Sequence, residues 1–352
     1  MTPPDLALRS TAYDLADALD VNEVYQQRGW TDGLPIIPPT EERIWACLEA
    51  AGLAPTEVVA LESVRQRPIL AEKVAINAIM AGCLPAYMPV VVAILRAMAR
   101  EPFNLHGSTA STGGSAQCIV VNGPIRTALG MNATHNVLGN GNRANASIGR
   151  AIRLVLINVL GCIPGQLDRS TLGHPGKFTL CFAEDEEDSP WTPLAQERGV
   201  PAGQSGVTVM SCISPRQVLN EWTHDPEEIL ATFAAEMRHN MLTYSVWSGN
   251  YVLVIPKQLR ELLVAAGWTK ADIRAYMFTA ARVRRGDWAS VGKANIVHRR
   301  GGPEQVFTAL RSPEDLLVAA AGGPAGGFGA VIPPWLGANS QAVTQVIAGG
   351  TT

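Results

Sequence analysis

Residues 118–160 read CIVVNGPIRTALGMNATHNVLGNGNRANASIGRAIRLVLINVL: an apolar run, then a polar loop broken by glycines, then a helical repeat. Cys118, Ile119, Val120 and Val121, closed by Asn122-Gly123-Pro124, fit a buried strand and its turn. From Ser147 onward, Ile148, Ile152, Val155, Leu156 and Val159 recur at helical spacing, with Arg150 and Arg153 on the polar side. The same alternation extends in both directions. Thr40 can cap a helix expected over 41–51 that stops at Gly52, and further helices are predicted over 70–81, before Gly82, and 88–99, between Pro85 and Pro102. Asp225 with Pro226 opens a helix to Arg238, and two more follow over 257–266 and 271–283. Apolar runs over 178–182, 207–210, 251–255 and 316–320 are predicted strands.

Helix and strand signals in alternation predict an α/β (or α+β) fold, with mixed, partly parallel sheets covered by helices. At 352 residues the chain is one large elaborated domain or two. The acidic stretch after Glu184 suggests a division into residues 1–184, carrying most of the pocket, a linker or flap over 185–205, and residues 206–352. The last part ends in a glycine-rich loop, Gly322 to Gly329, expected to act as a lid or a tight crossing under Trp335. No internal repeat stands out.

With 47% hydrophobic and 17% charged residues the chain can bury a core, which sets it apart from disordered proteins. The charge of -3 is mixed along the length, so no nucleic-acid footprint is expected. Short basic groups at Arg282, Arg284 and Arg285, and at Arg299 and Arg300, fit a solvated surface. The acidic start, Asp5, Asp14, Asp17 and Asp20, is unlike a signal peptide, and no apolar stretch is long enough to span a bilayer. Six cysteines without a Cys-x-x-Cys pair suggest reduced thiols in a cytoplasmic protein.

Chemistry concentrates between Asn104 and Lys177. Seven asparagines fall between 104 and 145, among serines, threonines and glycines and with almost no acidic residues. Neutral donors beside glycines suit a pocket in which backbone amides approach a ligand; turns with asparagine in left-handed conformations are the plainer reading. Ser108, Ser111, Asn136, Asn140, Asn142, Arg143, Asn145 and Gly323 are the expected substrate contacts. Arg143, at the start of the helix of 147–160, is suited to a carboxylate or phosphate. His106, His135 and His174 are the candidate acids and bases, with Lys177 balancing negative charge. The same three histidines are the ligands of a divalent metal, if one is bound; their spacing matches no metal motif. Cys212, beside Ser211 and Ser214, is the one candidate thiol. His224, His239 and His298 are expected to cap helices or sit at the surface.

Several phrases together carry a resemblance: Asp32-Gly33-Leu34-Pro35, Glu72-Lys73-Val74-Ala75-Ile76-Asn77-Ala78, Asn104-Leu105-His106-Gly107, the run from Leu138 to Ala146, His174-Pro175-Gly176-Lys177 and Ala266-Gly267-Trp268-Thr269-Lys270. They resemble a poorly characterised bacterial family that accompanies, or is fused to, a selenoprotein-type reductase module bearing a Sec/Cys-Gly-Ser-Cys (UGSC) motif. This chain contains no Cys-Gly-Ser-Cys. The resemblance therefore implies a redox centre lent by a reductase partner, or a member that works alone.

Two functions are expected. One is an enzyme, a hydrolase or lyase acting on a small polar or anionic molecule by heterolytic acid/base chemistry. The other is a substrate-binding subunit or partner of a thiol- or selenol-dependent reductase. A homo-oligomer is expected in either case.

Overall fold

Strands sealed on both faces account for the unbroken apolar runs: Ala116–Asn122, Gly206–Cys212, Tyr251–Ile255 and Leu316–Ala320 are buried at every residue. They belong to a computed structural model that describes residues 7–297 and 301–348; the expectations for His298, Arg299 and Arg300 lie outside those residues. In chain order the elements are helices α1 (Ala18–Gln27) and α2 (Glu41–Ala51), strands β1 (Val58–Glu62) and β2 (Arg67–Leu70), and helices α3 (Ala71–Ala81), α4 (Met88–Met98) and α5 (Leu105–Thr109). Next come β3 (Ala116–Asn122), α6 (Ile125–Ala128), α7 (Arg143–Asn158), β4 (Cys181–Ala183), α8 (Leu194–Glu197), β5 (Gly206–Cys212) and β6 (Arg216–Leu219). The remainder is α9 (Pro226–Thr243), β7 (Tyr251–Ile255), α10 (Lys257–Ala265), α11 (Lys270–Ala280), β8 (Arg282–Arg284), α12 (Ala294–Val297), β9 (Val306–Thr308), β10 (Leu316–Ala320), β11 (Phe328–Ile332) and β12 (Val343–Val346).

Two four-stranded sheets dominate, in the orders β12-β5-β3-β4 and β6-β11-β7-β10. Read in that direction each has two antiparallel pairings followed by one parallel pairing. The parity of the strands shows how they stack. Cys118, Val120 and Met210 from the first sheet share one apolar cluster with Val254, Leu317 and Ile332 from the second. The alternate residues face outward. Ile119 and Val209 join the core under α3, α4 and α7, while Leu253 and Val318 join the core under α9, α10 and α11. The molecule is a four-layer helix–sheet–sheet–helix sandwich.

An internal repeat, invisible in the residues, appears in the topology. In the first half, α4 precedes β3, α7 connects the parallel strands β3 and β4, and β5 returns antiparallel to β3. In the second, α9 precedes β7, α10 and α11 connect the parallel strands β7 and β10, and β11 returns antiparallel to β7. α4 packs on β5 and β12, as α9 packs on β11 and β6. The last strand of each half is exchanged: β6 pairs with β11 of the second half, and β12 returns to β5 of the first. A bridge between Cys212 and Pro334 marks the place where the two exchanging segments cross.

The exchange corrects the expected division of the chain. Residues 185–205 are a packed connection in which Trp191, Leu194 and Ala195 are buried, and no boundary there separates two independent bodies. The glycine-rich loop after β10 is a tight crossing over the end of β7, where Gly322 lies against Pro256. The Trp335 indole N–H donates to Ser111 Oγ at 2.8 Å. Among the described residues no helix is long and apolar enough to cross a membrane.

One contact shows how closely helix and sheet pack. A Cβ on Gly329 in β11 would come within 2.7 Å of two ring carbons of Phe233 from α9. Gly329→Ala is expected to cost about 1–3 kcal/mol through overpacking. A urea midpoint equal to wild type would show that the ring can move aside.

Candidate functional site

A hydrogen-bonded cluster of charged groups forms where α7 faces the loop of residues 163–178. Arg153 interrupts the apolar sequence of α7, and its side chain is only 10% exposed. A buried guanidinium needs a partner, and Asp168 provides one: Arg153 donates to Asp168 Oδ2 at 2.7 Å. Lys177 Nζ donates to the same oxygen at 2.6 Å and to Ser170 Oγ at 2.8 Å. Ser170 Oγ in turn donates to Asp168 Oδ1 at 2.5 Å, and its backbone N–H reaches that oxygen at 3.1 Å. The result is a closed Lys–Ser–Asp cycle with a guanidinium on its free side.

These groups line a cleft of about 700 Å³. Its other wall is the loop bearing Gly29, Thr31 and Asp32, and its rim is apolar, with Ile163, Leu172 and Phe178. Asp32 is neutralised by a two-bond contact to Arg150, 2.8 Å at each bond. Two cations, Arg153 and Lys177, against the one carboxylate Asp168 leave one positive charge facing the cleft. Burial raises the Asp168 pKa, but bonds from Lys177, Ser170 and Arg153 outweigh it and hold the carboxyl well below the usual range. Burial also pulls the Lys177 ammonium below its ordinary value, an effect that Asp168 only partly reverses. Lys177 is thereby easier to deprotonate than a surface lysine.

His174 lies on the same loop but is restrained. Its Nδ1 accepts the Gly176 N–H at 3.2 Å, so the proton resides on Nε2. Nε2 is sealed beside the Cys212 backbone and lacks a hydrogen bond of acceptable geometry. Burial depresses the pKa more than the Cys212 carbonyl raises it, so the ring is neutral near pH 7. A neutral imidazole with one nitrogen engaged and the other sealed holds the loop in shape.

Of the candidates from the sequence, His174 and Lys177 share this cleft and the others do not. His106, on α5, directs Nδ1 toward buried Glu62 at 3.8 Å. His135 is exposed and rests against Gly323, where an added Cβ would come within 3.2 Å of the ring. Arg143 is exposed and donates to the Gly82 carbonyl at 3.0 Å. Ser108 is buried and bonds to the Leu105 carbonyl, while Ser111 holds Trp335. The expectation of one hollow lined by three imidazoles and the Arg143 guanidinium is therefore corrected. Among the described residues no three His, Cys, Asp or Glu side chains are grouped to hold a metal ion, and the three histidines lie apart.

Of the asparagines, only Asn104 and Asn136 take left-handed conformations, and the others are held by hydrogen bonds. Asn142 caps α7 by accepting from Asn145 N–H, and Asn136 has φ +56° and donates to the Asn140 carbonyl. Asn145 pairs with both backbone groups of Asn132. Each satisfies its own loop. Asn136 and Gly139 do line a smaller hollow of about 300 Å³ against Gly322 and Gly323, but no charged group lines it.

Cys212 is a second correction. It is fully buried in β5, and burial pushes its thiol well above the ordinary value. All six cysteines are buried; Cys47 rises to about 11, and Cys83 and Cys118 to about 12. His224 and His239 sit at the surface, as expected.

Comparison with known proteins adds no identity, since no family profile, no curated protein and no solved structure matches this chain.

Proposed function

We propose that the chain is an enzyme whose cleft binds a small anionic molecule and acts on it by acid/base chemistry, in the manner of a hydrolase or lyase. What supports this is the surplus positive charge beside a hydrogen-bonded lysine, serine and aspartate in an open cleft. Arg153 uses one N–H on Asp168 and makes no other hydrogen bond among the described residues, so the rest of its fork can hold a carboxylate or phosphate. Lys177, with its lowered pKa, moves the proton. Ser170, fixed between Lys177 and Asp168, orients a polar group or water at the reacting atom. The apolar rim of Ile163, Leu172 and Phe178 favours a ligand whose remainder is hydrocarbon.

The test is binding and turnover with a panel of small carboxylate- and phosphate-bearing amides and esters. Arg153→Met is expected to weaken binding about tenfold or more, the value of one charge-assisted hydrogen bond. Lys177→Met is expected to lower kcat about a hundredfold or more with a smaller effect on KM. Wild-type kinetics in both folded variants would remove the proposal. The family resemblance carries a second reading, a substrate-binding subunit of a reductase. On that reading the partner would supply the redox group, which the burial of all six thiols supports. Turnover by the isolated chain without reductant decides against it.

A further inference from the structure

A second cavity, of about 320 Å³, lies on the other side of the loop that walls the cleft. Gly29, Thr31 and Asp32 face the cleft while Trp30 faces this cavity, and at the end of α7 Ile157 faces the cleft while Asn158 and Val159 face the cavity. From these groups we infer a separate binding site for a flat aromatic anion.

Three aromatic rings form its wall. Tyr25 meets Trp30 edge-on with centroids 5.3 Å apart, and Tyr13 is tilted against Trp30 at 5.9 Å. A cluster of this kind presents π-faces to a planar ligand. Boxes of tyrosine and tryptophan also attract cations, so the sign of the ligand has to be decided. The charges decide it. Arg28 already covers the faces of Tyr13 and Trp30, 4.4 and 4.8 Å from the two centroids. Lys73 lines the cavity, with its ammonium donating to Ser10 Oγ at 2.9 Å. Neither cation makes an ion pair among the described residues. The Glu72 carboxylate, which Lys73 attracts, accepts from the backbone amides of Arg9 and Ser10 and does not itself line the cavity. A cationic ligand would meet the Lys73 ammonium, with Arg28 already on the Tyr13 and Trp30 rings; an anionic ring would meet Lys73 at its charged edge and the aromatic wall at its face. Ser10, Thr11 and Tyr25, each carrying a hydroxyl, line the same space.

This site stands independently of the cleft proposal, because it shares no lining residue with the cleft. The experiment is calorimetric titration of the full chain with 2-naphthoate, cyclohexanecarboxylate and trimethylphenylammonium. The expected result is measurable binding of 2-naphthoate, at least tenfold weaker binding of the other two, and at least a tenfold loss of naphthoate affinity in Lys73→Met and in Trp30→Ala. Arg153→Met is expected to bind naphthoate as wild type does. Lys73→Met removes one hydrogen bond, so its fold is expected to survive, and matching circular dichroism will check that. The inference is overturned by absence of naphthoate binding at millimolar concentration, by tighter binding of the ammonium compound, or by affinity lost in Arg153→Met but kept in Lys73→Met. The last outcome would place the ligand in the cleft.

Discussion

Asp168→Ala is expected to lower the stability of the protein by about 3–5 kcal/mol, the usual cost of leaving buried charges without their counter-ion. Asp168 is 4% exposed and is the shared partner of Arg153 and Lys177, so its removal strands two cations at once. Asp168→Asn keeps the shape and the Ser170 contact but not the charge, and it should fall between the two. The pH dependence separates charge from packing. The folded pKa of Asp168 is depressed, so its contribution is complete above the ordinary aspartate value, about 3.9, and fades as pH falls through the lower, folded value. In urea titrations the gap between wild type and Asp168→Asn is therefore expected to be constant from neutral pH to about pH 5 and to narrow below pH 4. A gap that widens with acid would contradict the assignment of Asp168 as the ionised centre of the cluster.

Glu184→Ala should be of similar size, about 3–5 kcal/mol, for a related reason. Glu184 is 1% exposed at the end of β4, and its two oxygens collect four donors from both halves of the sandwich. Lys270 Nζ and the Ala320 N–H reach Oε1, each at 3.1 Å, while Asn122 Nδ2 and the Leu194 N–H reach Oε2, each at 2.7 Å. Alanine would strand the Ala320 and Leu194 amides beside a void, while Lys270 keeps Glu197 and the Thr192 carbonyl and Asn122 keeps Glu186. Glu184→Gln keeps the volume, but its amide NH₂ would face N–H donors, so it is expected to recover only part of the loss. Denaturation of the alanine variant at the wild-type midpoint would show that water replaces the carboxylate without cost.

Legibility from the sequence followed burial. β7 and β10 match the runs 251–255 and 316–320 residue for residue, because strands between two covering layers need apolar side chains on both faces. Pro256 and the glycines after Ala321 end them sharply. The exchanged strands β6 and β12, with sequences RQVL and VTQV, are partly exposed at the sheet edges and carry polar residues, so no run announced them. The repeat escaped notice for the same reason: it is written in connectivity, with the core filled by different residues in each half.

The site was legible only in part. Lys177 stood out beside a glycine turn, yet Arg153 read as the polar face of an amphipathic helix. The available signal was an arginine within the apolar stretch of α7, which must find a partner if the stretch is buried. Asp168 and Ser170, ahead of Lys177, were the nearest in sequence. The asparagine cluster drew attention away because capping, left-handed turns and ligand binding call for the same residue type. Only geometry distinguishes them.

Strand exchange also bears on how the chain is made. When β5 leaves the ribosome its outer edge has no neighbour, and it stays bare until residues 343–346, more than a hundred positions later, arrive to cover it. During that interval a nascent chain offers a ready template for any matching strand, including the β12 of another copy. Two molecules that trade β12 reproduce every native pairing, so a dimer tied together by swapped ends is an intrinsic hazard of this architecture.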